Sequence, residues 1–288
     1  MPLDGRDENH VLLNHVLLVV TVPAEAVEFA ADVLWSAGAQ AVEEIDHIDT
    51  IDLRTDLGRD PLTAWAAIVD ANPTAGAWPV RTEIVDIRVA DTWREHAAPT
   101  FVDHVRILPA WLDGSSSGQA ETTVIIEPGG SFGIGDHPTT RATLALALRA
   151  PGSQILDLGC GSGVLAIALC LTRRARAVAI DIAPAAVEAT HHNVRLNSVE
   201  SSVLVEQGDV RAVKGTYDLV LANILAPVLL ADADEIVARV AVRGTLIVSG
   251  FTNTRRADII DRYSLAGLTL REESEVEGWL ALQFERLQ

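Results

Sequence analysis

The 288-residue sequence has little cysteine, almost no lysine and few aromatic residues, which make up 5% of it. The two cysteines, Cys160 and Cys170, cannot build a disulfide framework and show no metal-ligand spacing. We therefore predict no metal site and a reducing, cytoplasmic location. Lys214 is the single lysine, so the basic charge is almost entirely arginine.

Basic charge is also scarce relative to acidic charge. The 22 basic residues stand against 40 acidic ones, and the formal net charge is −18. A surface of this sign repels phosphate backbones, so we expect no direct binding of nucleic acid. It would attract a basic protein partner, although solubility alone explains the same charge equally well. Residues 1–90 have the denser negative charge, with 16 acidic and 5 basic residues.

Long hydrophobic runs are absent as well. The longest, at residues 16–22 and 164–171, are far too short to cross a membrane, and the polar first ten residues do not resemble a signal peptide. We therefore expect no membrane attachment. Hydrophobic residues still make up 49% of the chain, enough for a sizeable core. The chain length predicts two domains, at about 150 residues each.

The amino-terminal part shows the pattern of a small α+β domain. Predicted strands and helices follow the order β-α-β-β-α-β, which is typical of a ferredoxin-like domain. The predicted elements are a strand at 11–22, a helix at 24–37, strands at 40–45 and 50–57, a helix at 62–71 and a strand at 78–89. We therefore assign residues 1–90 to a ferredoxin-like domain and residues 91–100 to a linker with a short helix at 91–97.

From residue 138 onward, predicted strands and helices alternate over the rest of the chain. This pattern predicts a doubly wound α/β sheet within a domain at 101–288, with a ligand crevice at the carboxyl ends of the strands. Two closing strands predict an antiparallel strand at one edge of the sheet. The predicted elements include strands at 102–108, 122–126 and 244–249, a helix at 228–240, and closing strands at 269–275 and 279–285.

The strongest local pattern is the sequence ILDLGCGSGV at residues 155–164. A strand ends there, three alternating glycines follow, and a helix begins. Gly159, Gly161 and Gly163 allow a sharp turn and a close approach of ligand to main chain, and the free N–H groups of the helix end bind carboxylate or phosphate. The dinucleotide fingerprint G-x-G-x-x-G needs glycine at its sixth position, which is Val164 here.

The loop resembles motif I of the class I S-adenosylmethionine-dependent methyltransferases, since Asp157 lies two residues before the first glycine. The resemblance implies that S-adenosylmethionine is the cofactor and that Asp157 and the loop backbone lie against its methionine part. Asp181 ends the next strand, where a carboxylate can accept hydrogen bonds from both ribose hydroxyls. Ile182 would then pack on the adenine. By the same resemblance Asp209 receives the adenine amino group, although an aspartate there also suits an ordinary turn.

Asn223 stands at the end of the predicted strand YDLVLAN, where the crevice begins. Its side-chain oxygen can accept a hydrogen bond from an amine and so orient a nitrogen for methyl transfer. We predict that Asn223 is the catalytic residue and also contacts the cofactor, with proximity and alignment as the main sources of rate. The alternative is that Asn223 only caps the next helix.

A glycine-rich segment, EPGGSFGIGDHPTT at residues 127–140, precedes the first helix of the large domain. Such a segment can close over a ligand, with Phe132 stacked on it and His137 offering a polar edge. We predict that Gly133 and Thr139 also lie against the cofactor. A lone histidine, however, usually has a structural explanation.

Four motifs occur in the order found in ribosomal protein L11 methyltransferases, and the chain resembles that family over nearly its whole length. The motifs are PGGSFGIGDHPTT, LDLGCGSGVLAIA, IDIAPAAVEATHHN and LVLANILA. The resemblance implies transfer of methyl groups from S-adenosylmethionine to lysine side chains, and to the amino-terminal amine, of one basic ribosomal protein. It also implies that the small domain recognises this substrate.

Two residues depart from the usual pattern of that family. Ile134 replaces a threonine, so a hydroxyl contact is lost at that position, and Glu127 replaces an aspartate before Pro-Gly. Three further hypotheses stay open from the sequence: a methyltransferase for another protein or a small amine, a nicotinamide oxidoreductase, against which Val164 argues, and an inactive module that only binds the cofactor.

Overall fold

The computed structural model divides the chain into two compact units, Met1–Ala97 and Ala98–Gln288. The residues it describes are 14–23, 26–37, 39, 42–58, 60–86, 97–112, 121–127 and 135–287. Most of the helix predicted at 91–97 therefore lies outside the described residues. Among the helices that are described, none is both long and apolar enough to cross a membrane.

The first unit is built on a four-stranded antiparallel sheet with strand order β2-β3-β1-β4. Its elements are β1 (Asn14–Pro23), α1 (Val27–Ser36), β2 (Glu43–Asp46), β3 (Thr50–Thr55), α2 (Pro61–Ala71), a 3-10 turn (Pro73–Ala77) and β4 (Val80–Asp86). Alternate residues of β1, such as Leu18 and Val20, pack with Leu34 of α1 and Trp65 of α2. Period-two alternation in the strands therefore buries one face of the sheet under both helices.

A buried carboxylate ties three strands of this unit together. Asp52 of β3 accepts hydrogen bonds from the Thr21 hydroxyl of β1 at 2.5 Å and from the Arg81 guanidinium of β4 at 2.6 Å. Nε2 of His47 lies 3.0 Å from the same carboxylate. The Arg81 hydrogen bond is the main cause that holds the pKa of Asp52 far below its usual range.

The second unit contains a seven-stranded mixed sheet with strand order β10-β9-β8-β11-β12-β14-β13. The strands are β8 (Gln154–Leu158), β9 (Arg176–Asp181), β10 (Val203–Gln207), β11 (Tyr217–Asn223), β12 (Val240–Thr252), β13 (Leu268–Val276) and β14 (Trp279–Arg286). The first five in this spatial order are parallel, and β14 runs antiparallel to both β12 and β13. The predicted doubly wound sheet with an antiparallel edge is thus confirmed.

Helices cover both faces of this sheet. They are α3 (Pro138–Arg149), α4 (Val164–Thr172), α5 (Pro184–Leu196), α6 (Ala226–Ala231), α7 (Ala233–Arg239) and α8 (Arg256–Leu265), the last preceded by a 3-10 turn (Asn253–Arg255). Along β11, Leu219 and Leu221 pack in the core under α3, α4 and α5, whereas Val220 and Ala222 pack under α6, α7 and α8. A strand buried on both faces reads as a continuous apolar run, and for that reason β11 was predictable.

A three-stranded sheet of β5 (Thr100–Val102), β6 (Val105–Pro109) and β7 (Thr122–Ile126) precedes the large one. The single strand predicted at 102–108 is wrong at its beginning, because the chain reverses between β5 and β6. Asp103 takes a left-handed φ of 49° in that reversal, a conformation that aspartate tolerates better than most residues. Ile107 and Ile126 from this sheet join the core that contains α4.

The single helix predicted at 228–240 is also wrong. Two short helices, α6 and α7, meet at Asp232, whose carboxylate accepts a 2.5 Å hydrogen bond from Arg211. Val240 belongs to β12, which is longer at both ends than the strand predicted at 244–249. The β-branched residues before Gly244 extend the strand instead of the helix.

Candidate functional site

The site lies where β8, β9 and β11 end, at the carboxyl edge of the large sheet. After Leu158 the chain forms a loop in which Gly159, Gly161 and Gly163 have φ values of 70°, 55° and 79°. A Cβ at Gly159 would overlap the Ile224 side chain, and one at Gly163 would lie 2.7 Å from Cγ2 of Thr190. All three glycines are therefore favoured by their left-handed conformation, and Gly159 and Gly163 also by close packing.

Asp157 lies beneath this loop and is only 1% exposed. One carboxylate oxygen accepts a 3.2 Å hydrogen bond from the N–H of Ala166 in α4. The other oxygen has no hydrogen-bond donor among the described residues. Burial raises the pKa of Asp157 to about 7. An unpaired acceptor at this position fits the amine of a methionine group, so the residues present are compatible with the predicted cofactor.

Asp181 at the end of β9 faces the same loop. Its two carboxylate oxygens accept hydrogen bonds from the N–H groups of Gly161 at 3.0 Å and Ala183 at 2.9 Å. A carboxylate oxygen can accept more than one bond, so ribose hydroxyls have acceptors here. Ile182 follows and is 72% exposed, so its apolar side chain is accessible for packing on adenine, a contact that stays a prediction.

Asp209 follows β10 and is engaged locally. Its carboxylate accepts a 2.9 Å hydrogen bond from the N–H of Arg211 and forms an ion pair with that guanidinium at 3.2 Å. The backbone hydrogen bond is the main cause that lowers the pKa of Asp209. These contacts are those of a turn residue, and a contact with adenine stays a prediction.

Asn223 ends β11 and pairs in register with Ser249 of β12. Its side-chain amide makes no hydrogen bond to any residue that the structure describes. The helix that follows has Leu225 as its N-cap, so Asn223 is not a helix cap. The amide is therefore free to bind a ligand group at the crevice.

The backbone after Asn223 is fixed by a glycine that the sequence pattern did not single out. Ile224 donates a 3.1 Å hydrogen bond to the carbonyl of Ser249. Gly250, at a register shift in β12 with φ of 100°, lies so close that a Cβ would overlap the Ile224 carbonyl. Gly250 directly follows the strand predicted at 244–249 and lies inside the observed β12. A glycine beside an apolar strand is the signal that could have revealed this close approach.

His137 and Thr139 lie at the start of α3. The N–H of Thr139 donates to Nδ1 of His137 at 3.3 Å, and the Thr139 hydroxyl lies 2.7 Å from the same nitrogen. The His137 ring packs edge-on against Trp279 at a centroid distance of 5.1 Å, and burial lowers its pKa. Trp279 pairs with Thr252 at the end of β12, which places this group at the carboxyl edge of the sheet.

The structure thus gives His137 a capping role, and its contact with the cofactor stays a prediction. The other predicted residues of that segment, Phe132 and Gly133, lie outside the described residues, as does Ile134. What the structure brings together at one edge is the glycine loop with Asp157, Asp181 and Asn223.

Sequence reasoning missed two residues that bind this loop from α5. Thr190 and Asn193 are fully buried and hydrogen-bond to the carbonyl groups of Gly161 and Ser162. Their spacing was the signal that could have revealed them. Polar residues three positions apart lie on the same face of a helix, and in α5 this face is buried.

Comparison with known proteins agrees with this geometry. A family model described as "Ribosomal protein L11 methyltransferase (PrmA)" matches residues 63–287. The ribosomal protein L11 methyltransferase of Geobacter sulfurreducens is 32% identical over 289 residues, which cover 91% of this chain and 95% of that protein. The protein of that name from Exiguobacterium sp. is 34% identical over 197 residues, 67% of this chain and 63% of that protein. The crystal structure of a ribosomal protein L11 methylase from Lactobacillus delbrueckii subsp. bulgaricus gives a TM-score of 0.62 at 25% identity, covering 67% of this chain and 100% of that one.

Proposed function

Because this chain belongs to the ribosomal protein L11 methyltransferase family, we propose that it methylates lysine side chains and the amino-terminal amine of ribosomal protein L11. S-adenosylmethionine is the cofactor of this protein methyltransferase. The names of the relatives do not favour another protein or a small amine as substrate.

The observation that supports this function most directly is the free Asn223 amide beside the glycine loop. The loop and the carboxylates of Asp157 and Asp181 would bind the cofactor along the ends of β8 and β9. Asn223 ends β11, which neighbours β8 in the sheet, and would then face the methyl group of the cofactor. The methyl donor and the amine that accepts the methyl group would thus meet in a single crevice, where open α/β sheets bind their ligands.

The bound cofactor supplies a methyl group on a positively charged sulfur. A lysine amine must present its lone pair to that methyl, and deprotonating it at pH 7 costs about 4–5 kcal/mol in water. Transfer of the amine from water into the crevice reduces this cost, since burial disfavours the ammonium form. The Asn223 oxygen accepts a hydrogen bond from the amine and orients the lone pair, while the proton leaves to solvent. Asn223 therefore acts by alignment.

The first unit is the proposed substrate-recognition domain. Its antiparallel strand order, with two helices on one face, supports the ferredoxin-like assignment of residues 1–90. Residues 91–100 are the proposed linker. The dense acidic charge of residues 1–90 suits a basic ribosomal protein and disfavours direct contact with nucleic acid. A ribosomal protein partner also implies a cytoplasmic reaction.

Labelled methyl transfer tests the proposal. The protein is incubated with purified ribosomal protein L11 and S-adenosylmethionine labelled in its methyl group, and peptides of the product are mapped. We expect label on lysine residues and on the amino-terminal amine. L11 with chemically acetylated amines is the control and should accept no label. Label on a different ribosomal protein, with none on L11, would contradict the assignment.

A further inference from the structure

The face of α5 that packs on the cofactor loop is polar, although it is buried. The Thr190 hydroxyl donates a 2.9 Å hydrogen bond to the carbonyl of Gly161 and lies 3.4 Å from Sγ of Cys160. A buried hydroxyl is retained at little cost only when it has a partner, and here both of its partners belong to the loop.

Asn193, one turn further along α5, uses every group of its side-chain amide. Its NH₂ donates to the carbonyls of Ser162 and Glu127, both at 2.9 Å. Its oxygen accepts from the N–H of Glu127, also at 2.9 Å. One buried side chain thus joins the cofactor loop to the residue that follows β7.

These bonds determine the direction of the loop's peptide groups. The carbonyls of Gly161 and Ser162 both point to α5. In the trans peptide between Gly161 and Ser162, the N–H of Ser162 lies opposite the Gly161 carbonyl and therefore points away from α5. A carbonyl turned toward the crevice would repel the carboxylate of a bound methionine group, whereas the N–H groups at the start of α4 attract it.

Asn197, which caps the carboxyl end of α5, provides a matched comparison. It also makes three side-chain hydrogen bonds, two with the N–H and carbonyl of Ile125 and one with the carbonyl of Asn193. It holds β7 in the same way as Asn193 does, but none of its three bonds reaches the cofactor loop.

We propose that Thr190 and Asn193 are positioning residues that orient the Gly161 and Ser162 peptide groups for cofactor binding. This role rests on the proposed S-adenosylmethionine site at the loop. Neither residue needs to touch the cofactor, since both act through the carbonyls they bind. Removing either bond leaves a buried carbonyl without its donor, which costs free energy and favours a rotated peptide.

The test compares four single variants with wild type: Thr190→Val, Thr190→Ser, Asn193→Ala and Asn197→Ala. We expect Thr190→Val and Asn193→Ala to weaken binding of S-adenosylmethionine about tenfold or more by titration calorimetry, and kcat at saturating cofactor to change far less. Thr190→Ser keeps the hydroxyl and should restore the affinity. Asn197→Ala should lose thermal stability comparable to Asn193→Ala, yet bind the cofactor like wild type.

A second measurement needs no cofactor. Amide hydrogen exchange of residues 159–163 in the ligand-free protein should accelerate in Thr190→Val and stay unchanged in Asn197→Ala. The positioning role would be overturned if Thr190→Val bound S-adenosylmethionine as tightly as wild type. It would also be overturned if Asn197→Ala lost as much affinity for S-adenosylmethionine as Thr190→Val and Asn193→Ala. If Asn193→Ala does not fold, the comparison of Thr190→Val with Thr190→Ser still tests the positioning role. A wild-type protein that binds no S-adenosylmethionine would refute the proposed function, and the exchange data would still decide whether α5 orients the loop.

Discussion

The carboxylate of Asp181 accepts a 3.0 Å hydrogen bond from the main-chain N–H of Gly161. This bond joins the end of β9 to the loop that follows β8, so two neighbouring strand ends of the sheet are fastened to each other. Asp181 therefore has two roles in the proposed site, as an acceptor for the cofactor and as a brace for the loop.

Asp181→Ala should weaken the binding of S-adenosylmethionine by about 10- to 100-fold, because hydrogen bonds to a charged group are each worth roughly 1.5–3 kcal/mol. Titration calorimetry measures the change directly. Asp181→Asn keeps one acceptor oxygen and should show a smaller loss. Wild-type affinity in Asp181→Ala would remove the ribose assignment.

Asn223→Ala should slow methyl transfer about 10- to 100-fold with little change in cofactor affinity, since the amide aligns the amine and binds no group of the protein. The measurement is kcat with L11 as substrate, beside calorimetry with S-adenosylmethionine. Unaltered turnover would exclude an alignment role. A large loss of cofactor affinity would instead show that Asn223 mainly binds the cofactor.

Asp157 should make the free protein less stable as pH rises from about 4 to about 7. Its folded pKa of about 7 lies above the unfolded value of 3.8, so the folded state favours the protonated form. The resulting penalty is complete above pH 7, fades as pH falls toward 4, and amounts to a few kcal/mol, on the order of 1.4 per pKa unit.

Asp157→Asn removes this penalty and should raise the melting temperature of the free protein at pH 8 by several degrees, with a much smaller difference from wild type near pH 4. Differential scanning calorimetry across this range provides the test. The same variant should bind S-adenosylmethionine more weakly, because the amide cannot neutralise an amine. A variant less stable than wild type at pH 8 would argue against a desolvated carboxylate.

Gly250→Ala should displace Ile224 and with it the neighbouring Asn223. We expect a stability loss of about 2–4 kcal/mol and slower transfer, since the new methyl group meets the main chain. Gly215→Ala is the matched control, because Gly215 has a φ of 80° but no atom near its missing Cβ. That variant should lose only about 1–2 kcal/mol and keep wild-type turnover. Equal effects in both variants would show that close packing at position 250 is unimportant.

The parts of the site that could be predicted from the sequence are those whose backbone conformation or position is determined within one short segment. The alternation of Gly159, Gly161 and Gly163 after an apolar strand is sufficient to predict a ligand loop, and the structure shows the left-handed turns that demand it. Asp181 and Asn223 were predictable because both end an apolar strand, and parallel strands end at one edge.

The parts that were missed depend on contacts between distant segments. Nothing local to α5 tells that Thr190 and Asn193 face a loop about 30 residues earlier. The break between α6 and α7 involves Arg211, which is 21 residues from Asp232. In both cases tertiary contacts override the local preference. The reversal at Asp103 is different, because it is a local turn with a left-handed aspartate that divides the strand predicted at 102–108.

Asn193 of α5 and Asn197, which caps this helix, affect how other polypeptides can bind to this protein. By pairing with the main chain at Ile125 and Glu127, they occupy hydrogen-bonding groups that an edge strand would otherwise expose. An incoming extended peptide therefore cannot pair with the main chain at Ile125 and Glu127 by β-augmentation. A strand from a second copy of this protein cannot pair there either.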